Sequence, residues 1–182
     1  TPATIEVTAN NASKAFDTAD PESFSYTVNS HAVSGETEAF DGALVREAGE
    51  AVGHYAIRQG TLALKDSGSF KASNYKLAFK EGDFEIYDNG TMTITANGYS
   101  DVYDGGTHAA TATASVAGAK VEWSQDGEKW QDAAPSIKDV GEQTWQVRAT
   151  AEGYTAKTAT VTLKVTPATI EVTANNASKA FD

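Results

Sequence analysis

Residues 1–17, TPATIEVTANNASKAFD, recur letter for letter as residues 166–182. Seventeen consecutive identities at a displacement of 165 positions read as one period of a tandem array followed by the opening of the next. Arrays of that kind hold something at a distance, so the repeat points to architecture and a general role before it points to any ligand.

Without the duplicate, 165 residues of unique sequence remain, enough for two domains of roughly 80 residues each. Thr, Val, Ala and Gly are abundant and Met occurs once, a balance that favours strands over a helical bundle. Lys and Arg total 14 against 25 Asp and Glu, scattered along the chain, which excludes a nucleic-acid binder and predicts a self-repelling, monomeric surface. With no cysteine there is neither a disulfide nor a thiolate site. No apolar run approaches the ~20 residues of a membrane-spanning helix.

A second repeat lies inside the first. Residues 4–17 (TIEVTANNASKAFD) align without gaps on residues 91–104 (TMTITANGYSDVYD), with Thr8/Thr95, Ala9/Ala96, Asn10/Asn97, Ser13/Ser100 and Asp17/Asp104 identical. Ile5 and Val7 alternate with Thr4, Glu6 and Thr8, and Met92 and Ile94 hold the matching places, so each half opens on a half-buried strand. An Asn-rich turn and an aromatic-Asp pair follow, placed to end the strand and supply turn hydrogen bonds. Further alternations at Phe24/Tyr26/Val28, Tyr55/Ile57, Leu62/Leu64, Tyr75/Leu77/Phe79 and Phe84/Ile86 predict five more short strands. Residues 41–50 (DGALVREAGE) fit one helical turn or a bent strand, and the bent strand is the preferred reading.

In the second half, residues 110–116, 120–124, 143–151 and 158–165 are the strand candidates, and residues 125–128 (QDGE) form a hairpin turn between Trp123 and Trp130. Trp123 and Trp145 share faces with Val121 and with Val147 and Ala149, which places both in a sandwich core. The connections are short: five residues separate Ile86 from Met92, and Thr166, Pro167, Ala168 and Thr169 separate Val165 from Ile170. Such linkers, with Pro167 fixing its own backbone, predict a semi-rigid rod.

Several of these stretches resemble the bacterial extracellular repeat family called MBG, for "mostly beta grasp". The resemblance is carried by the opening strand, residues 12–16 (ASKAF), 19–21 (ADP), 42–57 (GALVREAGEAVGHYAI) and 73–75 (SNY) with the strand that follows, and covers nearly all of residues 3–87. At Phe16-Asp17 the family more often carries tyrosine and glycine. The resemblance implies a place in long, multidomain secreted or cell-wall proteins, in adhesin-like or stalk roles without catalysis. Residues 103–105 (YDG), 123–130 (WSQDGEKW) and 139–141 (DVG) are similar to Ig-like repeats of bacterial surface proteins.

No active site is assembled in the sequence. His31, His54 and His108 have no partner at metal-ligand spacing, and no nucleophile elbow or phosphate-cradling glycine loop is present. Asp88-Asn89, Asp101 with Asp104, and Asp126 with Glu128 are oxygen-rich and offer calcium at a domain junction, although none has the dense ligand spacing of a calcium loop. Trp130 and Tyr154 remain as candidate ligand-contact aromatics for a glycan once Trp123 and Trp145 are assigned to the core. A Lys–Asn isopeptide would supply a cross-link that cystine does not, with Lys14, Lys76, Lys120 and Lys164 as donors and Asn10, Asn74 and Asn97 as acceptors.

These readings combine into an all-β chain of two small tandem domains: an MBG-type, β-grasp-like domain over residues 1–88 and an Ig-like β-sandwich over 89–165. Residues 166–182 are the first strand of a following MBG repeat, frayed or paired through its edge. The expected role is a non-enzymatic spacer in an adhesin stalk at the bacterial cell surface, without cofactor, its partners the neighbouring repeats. The alternative is a repeat that binds host glycan or protein weakly and gains by avidity.

Overall fold

The structure, a computed structural model, describes residues 1–181. It is built of strands, with one 3-10 turn at Ala72–Asn74. Two compact units divide the chain: Thr1–Thr91 together with Glu152–Thr155, and Met92–Ala151 together with the residues from Ala156 onward. The expected limit at residue 88 lies inside the first unit, and the segment Glu152–Thr155 joins that unit from far along the sequence.

The first unit holds β1 (Ala3–Ala9), β2 (Ala12–Ala15), β3 (Tyr26–Val28), β4 (Phe40–Asp41), β5 (Val45–Arg46), β6 (Gly53–Arg58), β7 (Ala63–Leu64), β8 (Tyr75–Lys80) and β9 (Gly82–Tyr87). One sheet runs β3-β1-β8 and another β2-β9-β6-β5, with β4-β7 as a separate pair. In β1 the alternation read from sequence becomes burial: Ile5, Val7 and Ala9 point into the core while Thr4 and Glu6 face solvent. Phe84 and Ile86 of β9 and Ile57 of β6 close on them with Leu62 and Phe70. Each such side chain contributes about 1.5–3 kcal/mol by leaving water. Residues 41–50, with a bent strand as the preferred expectation, contain only the end of β4 (Phe40–Asp41) and the two-residue β5 (Val45–Arg46). Gly42 interrupts them in the left-handed region (φ 86°), where the backbone passes so close to Thr61 that a Cβ would meet its carbonyl oxygen at 2.1 Å.

The second unit holds β10 (Ile94–Asn97), β11 (Tyr99–Val102), β12 (His108–Ala109), β13 (Thr111–Ala114), β14 (Lys120–Ser124), β15 (Ser136–Ile137), β16 (Gly141–Thr150) and β17 (Lys157–Thr166). A four-stranded sheet, β11-β17-β16-β14, faces the short pairs β10-β13 and β12-β15. Its core gathers Trp123, Val147, Val161, Leu163 and Val165, with Trp145 half-buried against them. The strand predicted to begin at Met92 begins at Ile94; Met92 is buried all the same. Residues 125–128 lie in a turn between Trp123 and Trp130, as expected, and the pair that closes it is Trp123 with Gln131. Trp123 exchanges main-chain hydrogen bonds with Gln131, N to O at 2.8 and 2.9 Å, which moves Trp130 off the Trp123 face.

The internal repeat has a structural counterpart. Residues 12–15 and 99–102 are matching positions of the alignment, and they are β2 and β11. Each runs parallel to the last strand of its unit, β2 on β9 and β11 on β17. A close turn precedes β11: a Cβ on Gly98 would lie 2.1 Å from the Thr162 carbonyl oxygen. The opening strands differ in their partners, since β1 is flanked by antiparallel β3 and parallel β8 whereas β10 pairs with antiparallel β13.

Candidate functional site

The most concentrated polar chemistry lies in the first unit and was not anticipated from the sequence. Lys14 sits on β2 with a buried side chain, and its Nζ lies 2.8 Å from Asp20 Oδ1 and against Glu50. Arg46, at the end of β5, donates from Nε and Nη2 to the two Asp20 oxygens at 2.7 and 3.0 Å, and also reaches Glu50. Its Nη1 donates to the main-chain carbonyls of Glu47 and Gly49 at 2.8 and 2.7 Å. The guanidinium lies over the Phe84 ring, 4.9 Å from the centroid. Two cations and two carboxylates therefore span one face of the β2-β9-β6-β5 sheet, from Lys14 on one edge strand to Arg46 on the other, over an aromatic core residue of β9, which lies between them. The Arg46 guanidinium, and then the Lys14 ammonium, hold the Asp20 carboxyl down to about 2. Lys14 is raised from its ordinary value by Asp20 and Glu50. The arrangement suits fixed charge pairing, since both carboxylates are kept ionised.

Trp130 is half-buried. Its Nε1 donates to the Gly127 carbonyl at 3.2 Å, and Arg148 stacks on its ring 4.1 Å from the centroid. Arg148 in turn donates to Glu122, its cross-strand partner between β16 and β14, from Nε at 3.0 Å and from Nη2 at 2.9 Å. Lys120 Nζ completes the row 2.6 Å from the other Glu122 oxygen. Tyr154, the second candidate, is also half-buried and belongs to the first unit. Its hydroxyl donates to Asp17 at 2.8 Å, which raises the phenol, and its ring meets Phe16 edge-on at 5.7 Å between centroids. Trp130 and Tyr154 thus stand in different units, each engaged by neighbours of its own chain.

The oxygen-rich segments are taken up by turns. Asn89 is buried; its amide nitrogen donates to the Phe16 carbonyl at 2.9 Å, while its side-chain oxygen accepts from the Thr91 N–H and hydroxyl. Asp104 accepts from the Gly106 N–H and holds His108 at 3.0 Å, where the imidazole stacks flat on Tyr99. Asp126 accepts from the Glu128 and Lys129 N–H groups at 2.8 Å and from the Ser124 hydroxyl at 3.0 Å. The Lys129 N–H, the largest contributor, lowers its carboxyl. Among the described residues no three His, Asp or Glu side chains converge as metal ligands. Each histidine instead faces one carboxylate, His31 on Glu38 and His54 on Asp83 at 2.9 Å in addition to His108. Of the lysines named for an isopeptide, Lys14, Lys120 and Lys164 are paired with carboxylates. No helix among the described residues is long and apolar enough to cross a membrane.

Asp17 explains the departure at Phe16-Asp17. Among the described residues it is the one non-glycine with positive φ, 59°, a conformation glycine adopts without steric cost. The Asp17 carboxylate offsets part of that cost through Tyr154.

No curated protein matches the chain. Residues 5–85, which span the first unit from β1 to within β9, match the family model described as MBG domain (YGX type), so over that stretch the chain is similar to MBG domains.

Proposed function

We propose that the chain is a non-catalytic structural repeat of a bacterial cell-surface protein, a spacer that sets a distal module away from the cell wall in an adhesin-type stalk. The observation that carries the proposal is the identity of residues 1–17 with residues 166–182, which makes the sequence periodic. The MBG match over residues 5–85 supports a repeat module, and the strand-only architecture supports a load-carrying role over a catalytic one. The second unit is assigned to the Ig-like class on its two facing β layers and on the similarity of residues 103–105 and 123–130 to that class. The ion-pair row Lys120–Glu122–Arg148, with Trp130 stacked on it, favours the spacer reading over a glycan site at Trp130, because the ring face toward Arg148 is already covered.

Small-angle X-ray scattering from chains carrying one, two and three periods tests the proposal. A spacer gives a maximum dimension that grows in proportion to period number. A compact particle, or growth as the square root of period number, sinks it.

A further inference from the structure

The first unit contains seven Lys and Arg residues, and five of them are ion-paired: Lys14, Arg46, Arg58, Lys65 and Lys71. The other two, Lys76 and Lys80, make no ion pair among the described residues, although acidic residues outnumber basic ones in the unit. Both stand exposed on β8.

That strand is an edge: it pairs with β1 on one side and with no strand on the other. Which of its main-chain groups are free follows from β1. The Glu6 carbonyl accepts from the Asn29 N–H at 2.7 Å and the Asn10 N–H donates to the Ser25 carbonyl at 2.9 Å, so the even-numbered residues of β1 turn toward β3 and Ile5 and Val7 turn toward β8. In a parallel ladder a residue bonds to the two neighbours of its partner. The partners of Ile5 and Val7 are Leu77 and Phe79, so the bonds fall to Lys76, Ala78 and Lys80. Leu77 and Phe79 therefore direct N–H and C=O away from the sheet, and no main-chain hydrogen bond from another segment reaches them among the described residues.

Alternate residues with both groups unpaired are a template for one more strand. The Leu77 and Phe79 side chains pack on the core, which leaves Lys76, Ala78 and Lys80 on the opposite face. Glu6, the acid opposite Ala78 on β1, pairs with neither lysine. An added strand sets its own alternate side chains beside those two ammonium groups, where opposite charges stabilise the pairing and like charges oppose it.

We propose that the free edge of β8 is a docking site for an extended acidic segment of another protein, which joins β3-β1-β8 as a fourth strand, hydrogen-bonds to Leu77 and Phe79 and places carboxylates beside Lys76 and Lys80. A second copy of this chain is the wrong occupant. Antiparallel pairing of two β8 strands about Ala78 sets each Lys76 opposite the other's Lys80, a repulsive arrangement. The proposal adds a binding surface to the spacer reading and stands apart from it, since the dimensions of one, two and three periods do not depend on what this edge binds.

The probe is an end-blocked peptide of about eight residues alternating glutamate and valine. It is titrated into the full chain at physiological ionic strength, where the overall charge of -11 is screened beyond about 8 Å. Backbone amide NMR signals read the contact. Saturable shifts centred on Leu77 and Phe79 are expected, with a lysine–valine peptide binding about tenfold more weakly or worse. Lys76→Glu with Lys80→Glu is expected to reverse that preference, and the remaining amide signals check that the fold is kept. Two further peptides leave the protein unaltered: N-methylation of the alternate residues that face β8 removes the donors and abolishes binding, whereas N-methylation of the intervening residues is tolerated. Absence of shifts at Leu77 and Phe79 with millimolar peptide overturns the proposal. So do equal binding of the glutamate and lysine peptides, equal effects of the two N-methylation patterns, and dimerisation of the chain through β8.

Discussion

Replacing Arg46 by methionine tests the charged cluster that spans the β2-β9-β6-β5 sheet of the first unit. Methionine keeps an apolar stem over Phe84 and removes the guanidinium, whose side chain is 8% exposed. Asp20 would lose the larger of the two partners, Arg46 and Lys14, that together lower its carboxyl from 3.8 to about 2. At about 1.4 kcal/mol per unit, discounted by about half because 37% of the Asp20 side chain meets solvent, that interaction is worth about 1 kcal/mol. The hydrogen bonds to the Glu47 and Gly49 carbonyls add about 1 kcal/mol each, for an expected loss of about 3 kcal/mol at neutral pH. The pH dependence has a definite sign. A depressed carboxyl stabilises the fold fully above its unfolded value of 3.8 and ceases to do so as the pH falls toward 2. The gap between the two proteins should therefore narrow by about 1 kcal/mol between pH 5 and pH 2. Urea unfolding followed by far-UV circular dichroism measures it, with tryptophan fluorescence marking the second unit separately so that the two transitions are not fitted as one. A loss below about 0.5 kcal/mol, or a gap unchanged with pH, refutes the reasoning.

Two further substitutions probe close backbone packing. Gly98→Ala forces a Cβ to within 2.1 Å of the Thr162 carbonyl oxygen. It should destabilise the second unit by about 2–3 kcal/mol, seen as an earlier tryptophan-fluorescence midpoint, and an unmoved midpoint contradicts the contact. At Asp17 two effects oppose. Glycine relieves about 1 kcal/mol of left-handed strain and loses a hydrogen bond to Tyr154 of similar size, so Asp17→Gly alone is near neutral. In a Tyr154→Phe background, where the hydrogen bond is already gone, the same change should stabilise the first unit by about 1 kcal/mol; equal effects in both backgrounds would show that Tyr154 does not compensate the strain.

The elements visible in the sequence are those long enough to show a period. Residues 120–124 were expected as a strand and are β14; the alternation of Val161, Leu163 and Val165 is the buried face of β17. The MBG resemblance over residues 3–87 also coincides with the matched stretch at 5–85. Two-residue strands such as β4 and β5 contain no period, so the split at Gly42 was not legible. The turn at residues 125–128 was legible from Asp126-Gly127, whereas its closing pair, Trp123 with Gln131, depends on how Asp126 gathers the Glu128 and Lys129 N–H groups and has no signature in the sequence. The charged cluster is assembled from Lys14, Asp20, Arg46 and Glu50, and pairing across such separations leaves no local pattern. One signal was available: Lys14 follows Ala12 on an inward-facing alternation, and a lysine there requires a buried counter-charge.

In both units a strand near the beginning lies parallel to the strand that ends the unit, β2 on β9 and β11 on β17. In a parallel pair, the start of one strand and the end of its partner lie at opposite ends of the ladder. Tension applied between those two points pulls along the strands and across their hydrogen bonds, so the bonds of the ladder share the force in shear. An antiparallel closing pair would be drawn apart from one end, one bond after another. The direction of four-residue segments inherited from one internal repeat thus determines how each unit meets a stretching force.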